Sequence, residues 1–439
     1  MRPFDKSILP EKVLLSGSDC FHQVLDKHAH IHRAGSNVMR IAFYFDNRLP
    51  VDKIKKTFSD SPLIYWLCNI KLQKGPLFGI PRWRYQDKGN DMVINEYHHA
   101  VPNEIPEIIS QRDISLDGER FIEADIIYYS ANKTAFVLSW NHILMDVKGI
   151  GMLIHHLNEL NSGNDDYQIK LLFPAQEKKT GLFSHIKNMY AVKKFIEASS
   201  KAPIASIAGK NSQSTAAFKN RILHFTADET NTIDAYAIQN GARFGGNLYY
   251  LSCCSHAVNN VLQQRKKGGV LWIPIPYDGR LKGSLGPAIS NTIAFLFYRV
   301  PEKALTSIKE TVTCFSTQMT EQIKEKMPRK YGLLLNLMRH IPLRLYYFLV
   351  SRGGEGSFAS FLYSSAGETF NGLKALFGET VSTLTIFPSS TFPPGLTFSF
   401  QKHREALNIN IAYSPDIADN FELNKIELDL KNFLLGINE

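Results

Sequence analysis

Cysteine is scarce in this 439-residue chain: Cys20, Cys68, Cys253, Cys254 and Cys314 are all there are, and no two show CxxC spacing. So sparse and odd a set argues against a disulfide framework and against a structural zinc site. Adjacent Cys253 and Cys254 read as small apolar residues packed on a helix. No run of about 18 apolar residues occurs, so no membrane span is expected. The opening MRPFDKSILPEKVLL lacks the long apolar core of a signal peptide. The expected location is therefore a reducing, cytoplasmic one. A GxSxG elbow, a Walker A loop and an HExxH helix are all missing, which removes three common routes to hydrolytic or phosphoryl-transfer chemistry. No metal and no permanently bound cofactor is expected. No fixed-period repeat is visible.

What is present is an ordinary globular balance, with 44% apolar and 21% charged residues. At roughly 100–200 residues per domain, the length suggests two large domains. The net charge of +9 is unevenly spread. Residues 166–221 hold ten Lys or Arg against three Asp or Glu. Such a patch suits a polyanion, such as the phosphates of a co-substrate, an acidic partner protein or anionic lipid, or it is simply a solvated face. Nucleic acid is the weakest of these, because no recognised binding motif accompanies the charge.

Residues 38–45 alternate Met39, Ile41, Phe43 and Phe45 on one face, which predicts a strand. A short helix start follows at 51–58. Residues 121–131 and 134–140 read as an antiparallel hairpin around Asn132–Lys133. Ile150, Leu153, Ile154, Leu157 and Leu160 then recur at helical spacing. Residues 161–220 look like a linker or crossover with a basic amphipathic helix near 184–198. The second half, from near Lys219, predicts a strand over NRILHFTAD (220–228), a helix over DETNTIDAYAIQNG with Asp228 as candidate N-cap, and a helix over 247–265. Strands at 270–276 and 291–299, a helix over 303–326, strands near 381–387, 394–401 and 406–413, and a closing helix at 422–435 complete it. Strands and helices mix in both halves, so the class is α/β or α+β. Residues 331–350 are very apolar but carry Arg339, His340 and Arg344. They read either as a membrane-surface element or, slightly preferred, as a buried helix pair broken at Pro342.

One motif carries chemistry. Between the second hairpin strand and the following helix lies Ser139-Trp140-Asn141-His142-Ile143-Leu144-Met145-Asp146-Val147-Lys148-Gly149, an HxxxD pattern. Alone the pattern is weak. Its position after a buried-type strand and before an amphipathic helix is where a turn projects a side chain into a cleft. A histidine with an unperturbed pKa of about 6.5 is suited there to accept a proton near neutrality.

At this motif the sequence resembles the superfamily of CoA- and carrier-protein-dependent acyltransferases bearing HHxxxDG. That superfamily includes peptide-synthetase condensation domains, plant-type alcohol acyltransferases and wax ester synthases. The resemblance extends along most of the chain: FHQVLDKHAHIHRAGSNVMRIAFYFDNRLPVDKIKKTF, PLFGIPRWRYQ, and LWIPIPYDGRLKGSLGPAISNTIAFLFYRVP follow the family's order. LLLNLMRHIPLRLYYFL, FLYSSAGE and PPGLTFSFQKHREALNINIAYSPDI are similar to the wax ester synthase branch. The resemblance implies an α/β fold of two similar chloramphenicol-acetyltransferase-like lobes, mixed sheets covered by helices, meeting at a central tunnel. Residues 1–165 would form the N-terminal lobe with the motif, 166–218 a basic crossover, and 219–439 the C-terminal lobe.

The resemblance also implies roles. His142 would be the general base. Asp146 would be structural and pair with a buried arginine, Arg280 by position, with Arg40 as a competitor. Candidate oxyanion or supporting groups are Asn141, backbone N–H groups of 147–149 including Gly149, and Ser290 with Asn291. The donor would be acyl-CoA or a phosphopantetheine-linked acyl group, and the acceptor an alcohol or amine. Partners would be that thioester, its acceptor, an acidic acyl carrier protein docking on 166–221, and peripheral membrane contact. Three positions depart from the family. Asn141 replaces its first histidine, and Val147 its glycine, with Gly149 and Gly151 following to restore loop freedom. Ser364–Ser365 stands for a late Ser-Asn.

Two other histidine groups give weaker signals. His28, His30 and His32 read as an exposed turn rather than metal ligands. His155 and His156 read as packing or solvated residues.

Overall fold

A computed structural model describes residues 4–437, apart from 36, 76–78, 164–168, 176–189, 191, 193–202, 209–212, 244, 281–285, 352–358 and 390. The amphipathic helix expected near 184–198, and most of the basic crossover, lie outside the described residues.

The first half runs α1 (Gly17–Ile31), β1 (Val38–Phe45), α2 (Val51–Asp60), α3 (Pro62–Cys68), β2 (Ile94–His98), β3 (Ile122–Tyr128), β4 (Thr134–Asn141) and α4 (Val147–Asn161). The second half runs β5 (Lys219–Phe225), α5 (Ala227–Gln239), α6 (Asn247–Gln264), β6 (Leu271–Asp278), β7 (Ile293–Val300) and α7 (Ile308–Lys324). It continues with α8 (Met327–Met338), α9 (Leu343–Ser351), β8 (Leu362–Ser365), β9 (Thr383–Phe387), β10 (Leu396–His403), β11 (Ala406–Tyr413) and α10 (Asn420–Leu434).

One mixed sheet has the order β9-β1-β4-β3-β2, and a second has β8-β10-β11-β5. β6 and β7 form an antiparallel ribbon. The hairpin predicted around Asn132–Lys133 is β3 paired with β4. β1 is buried at every position rather than on one face. Met39, Ile41, Phe43 and Phe45 point into the main core. Ala42 and Tyr44 pack in a smaller cluster with Val137 and Phe387 on the opposite face. A sheet covered on both sides removes the simple alternation.

β9, from the segment expected to belong to the C-terminal lobe, joins the first sheet by pairing with β1. Its carbonyls also receive hydrogen bonds from the second sheet: Asn408 Nδ2 to Leu384 O at 2.9 Å and Asn410 Nδ2 to Ile386 O at 3.0 Å. The two sheets are thus stitched together along β9. Cys253 and Cys254 are buried on α6 as expected.

Helix starts follow their caps. α5 begins at Thr226, whose hydroxyl and Glu229 form a capping box, so Asp228 is not the cap. The Thr-x-x-Glu spacing satisfies two backbone donors, and an N-cap at Asp228 would leave them open. α10 starts two residues before expectation for the same reason, on Asp419 and Glu422. Residues 331–350 do form two helices interrupted at Pro342, α8 and α9. They are only partly buried: Tyr346 is enclosed, while Leu345, Phe348 and Leu349 are 46–47% exposed. Among the described residues no helix is long and apolar enough to cross a membrane.

Candidate active site

The HxxxD residues occupy the turn between β4 and α4. Trp140 Nε1 donates to Met145 O at 2.9 Å, which closes the turn beneath a wholly buried indole. Asp146 is the N-cap of α4 and its Oδ1 accepts from Gly149 N at 2.8 Å. This anchors the helix and satisfies a donor that would otherwise stay open.

Arg280 reaches Asp146 from the second half of the chain. Its Nη1 lies 2.8 Å from Oδ2 and its Nη2 3.0 Å from Oδ1. Thr292 N also donates to Oδ2 at 3.0 Å, and Arg280 Nη2 donates to Pro287 O at 3.0 Å. Both side chains of the pair are about 95% buried, with 4% and 5% left exposed. Burial opposes the guanidinium charge, but Asp146 overrides it and holds the Arg280 pKa up. A bidentate pair with every carboxylate lone pair occupied is the geometry in which a buried ion pair is tolerated. Arg40 does not compete. It sits in β1, donates to Arg112 O, and lines a groove of about 470 Å3 with Arg33 and Arg112.

His142 sits at the other end of the turn. Its N–H donates to Asn37 O at 2.8 Å, and its carbonyl accepts from Asn291 Nδ2 at 2.7 Å. Residues from both halves of the chain therefore fix its backbone. Asn291 is itself held by Asp19 of α1, through its N–H at 2.6 Å and its Nδ2 at 2.9 Å. Ser290 Oγ lies 3.4 Å from the same carboxylate. Ser290 and Asn291 thus serve as scaffold.

The imidazole is part-exposed, but its Nδ1 is buried with no partner at hydrogen-bonding geometry. Desolvation pushes its pKa below the ordinary histidine value, while its own carbonyl, Asp146, Asn291 and the Met145 carbonyl pull the other way. Burial wins, so the ring is neutral near pH 7. Its face stacks on His22 of α1, with ring centroids 3.8 Å apart and 24° between planes.

Two expectations need correction. Asn141 does not offer its amide to an oxyanion: Nδ2 donates to Ile114 O at 2.9 Å and Oδ1 accepts from Ile143 N at 3.2 Å. At this position in the turn an amide satisfies backbone groups on both sides. Gly149 donates its N–H to Asp146, so that donor is occupied too. Nor do Gly149 and Gly151 lend loop freedom, since both are helical. They allow close approach: a Cβ on Gly149 would lie 2.3 Å from Ala288 O, and one on Gly151 2.6 Å from Thr369 Cγ2.

The remaining candidates lie elsewhere. Ser364 and Ser365 are in β8, paired with Ser399 and Phe400. His28, expected in an exposed turn, is fully buried near the end of α1, while His30 is exposed and His32 is the helix C-cap. Helical spacing, not a turn, sets His28 and His32 with ring centroids 4.2 Å apart. Among the described residues no cluster of three His, Cys, Asp or Glu is placed to hold a metal. His156 packs its Nε2 2.9 Å from Ser61 Oγ, and His155 is half exposed near Glu159.

The sequence reading missed Asp19, His22, Asp26 and Asn37. A signal existed. Asp19, His22 and Asp26 recur at spacings of three and four, which puts three polar side chains on one face of a buried helix. All three are less than 10% exposed.

No protein-family profile matches the chain, and no curated protein matches it. Solved structures do. The chain is similar to TRI3 trichothecene 15-O-acetyltransferase from Fusarium sporotrichioides, with 14% identity, TM-score 0.70, and 97% and 94% of the two chains covered. It is similar to the first condensation domain of the calcium-dependent antibiotic synthetase in complex with a substrate analogue, with 12% identity, TM-score 0.66, and 97% and 96% covered. It is similar to polyketide synthase associated protein 5 from Mycobacterium tuberculosis, with 13% identity, TM-score 0.61, and 97% and 99% covered. These likenesses establish the fold: two lobes of mixed sheet covered by helices, as in condensation domains.

Proposed function

We propose that this chain is an acyltransferase that moves an acyl group from a thioester to a hydroxyl or amine, with His142 as general base. One observation carries the reading: a part-exposed, neutral imidazole sits in the turn where both halves of the chain meet, and its backbone is clamped from each half. The likeness in fold to an O-acetyltransferase and to condensation domains supports it.

The chemistry follows from the proton positions. The carbonyls of His142 and Met145 favour the protonated ring; with the proton of the neutral ring on the buried Nδ1, the lone pair that meets the acceptor is that of Nε2. Nε2 takes the proton of the acceptor O–H or N–H as that atom bonds to the thioester carbonyl carbon. The tetrahedral oxyanion then collapses, the C–S bond breaks, and the imidazolium returns its proton to the thiolate. Asp146 and Arg280 hold the turn and take no part in proton transfer. The oxyanion donors come from groups other than the Asn141 amide and the Gly149 N–H, which are already bonded.

The donor is acyl-CoA or a phosphopantetheine-linked acyl group, and an ester product is preferred. The exposed Leu345, Phe348 and Leu349 of α9, with Arg344 exposed beside them, suit an acceptor delivered from a lipid phase.

The test is thiol release from a series of acyl-CoAs with alcohols and amines, followed by mass spectrometry of the product. Acceptor-dependent thiol release that vanishes in His142→Ala supports the reading. Equal rates in wild type and His142→Ala, or no product with any acceptor and either donor type, would sink it.

A further inference from the structure

We propose that His22 is a positioning residue for His142, a neutral ring of fixed tautomer against which the base is stacked. The inference rests on the acyltransferase reading for its role in catalysis, but the pairing itself stands on geometry.

His22 is 5% exposed on the buried face of α1, and its ring lies 3.8 Å from that of His142, nearly parallel. Its tautomer can be deduced. Asn37 Nδ2 lies 3.2 Å from the His22 carbonyl and 3.2 Å from His22 Nδ1. A carbonyl only accepts, so the Asn37 atom between them is its NH2 group. The second N–H therefore points to Nδ1, which must accept, and the proton of the neutral ring lies on Nε2. Asn37 also receives the His142 N–H on its carbonyl and a carboxylate contact from Asp26 on its own N–H at 3.0 Å. One residue thus sets the tautomer of His22 and the backbone of His142.

Two imidazoles in stacking contact cannot both be protonated without strong repulsion. Burial, and then the neighbouring His142, drive the His22 pKa well below the usual value. When His142 gains a proton, the neutral ring beneath offers its π face to the new cation. The other charged groups around the pair are already engaged. Asp19 is bound to Asn291, Asp26 to Asn37, Asp146 to Arg280, and Lys148 to Asp278. Arg339 of α8 donates to Leu15 O.

The experiment compares wild type with His22→Ala and His22→Phe by thiol release across pH and by histidine NMR titration, each with a melting curve. His22→Ala removes the floor and admits water. It is expected to lower the rate about ten- to a hundredfold, the cost of a misplaced catalytic group, and to move the acid limb and the His142 titration up towards 6.5. His22→Phe keeps a dry ring in place and is expected to restore most of the rate with the low titration retained. Unchanged His142 titration in His22→Ala, or equal losses in both variants with folded melting curves, would overturn the proposal. If wild type itself releases no thiol, the acyltransferase reading fails, while the NMR comparison still decides whether the two rings are coupled.

Discussion

The two ends of the 142–146 turn are built on opposite principles. At Asp146 everything is charged and paired: two contacts from Arg280, one from Thr292 N and one from Gly149 N fill its oxygens. At His142 the direct partners are neutral amides: its backbone is tied to Asn37 and Asn291. The side chain leans on another neutral ring, with Nδ1 on its buried side. Fixed charge shapes the turn at one end, and at the other stands a neutral ring whose Nε2 is the proposed base. Supporting groups that lock a site's backbone while leaving its reactive atom free are what precise chemistry requires.

Substitutions at the two ends are therefore expected to fail differently. His142→Ala is expected to lower the thiol-release rate about 10²–10⁴-fold with little change in melting temperature. A variant that melts early instead would place His142 among the structural residues. Arg280→Ala strands a buried carboxylate and is expected to cost about 3–5 kcal/mol of stability, read by urea unfolding. Replacing both partners, Asp146→Asn with Arg280→Gln, is expected to recover part of that loss, because no bare charge is left. If the double variant is worse than Arg280→Ala, the pair is doing more than shaping the turn.

Asn291 links the ends and is the next step down. Asn291→Ala leaves the His142 carbonyl and part of Asp19 without a donor. The expected destabilisation is about 1–3 kcal/mol, with a fall in rate as the His142 backbone loosens. A loss of stability with an unchanged rate would show that Asn37 alone suffices to place the base.

How legible all this was differs by feature. The hairpin, the α4 stripe and the α6–α7 region follow from period and turn residues, and the strand–turn–helix setting of His142 follows with them. Arg280 was found only through a resemblance, because 134 positions separate it from Asp146 and no periodicity spans that gap. The position of β9 in the chain puts it with the C-terminal lobe, yet its pairing lies with β1. Strand partners in mixed sheets are set by tertiary contacts that local pattern does not encode. Asn141 was misjudged for a related reason: an amide in a turn satisfies backbone donors and acceptors that no sequence displays. His22 left a trace, a polar residue in step with Asp19 and Asp26. That trace gains meaning only once the opposite ring is placed.

The smallest expected effect is also the sharpest test of how separate the two ends are. The folded pKa of His142 is lowered, chiefly by burial, so the base keeps its neutral form to lower pH than an ordinary histidine does. A general base works in its neutral form. Activity is therefore expected to hold to lower pH than a free imidazole would allow and to fall as pH drops through the lowered folded value. Asp146 favours the protonated ring, so Asp146→Asn removes that support and moves the acid limb further down, not up. The shift is expected to stay within about one pH unit, because Arg280 already neutralises the carboxylate. The measurement is log kcat/KM against pH for both proteins, with melting curves to confirm folding. An upward shift, or one of several units, would mean that the charged end reaches the reactive nitrogen directly, and the division between shaping and chemistry along this turn would not hold.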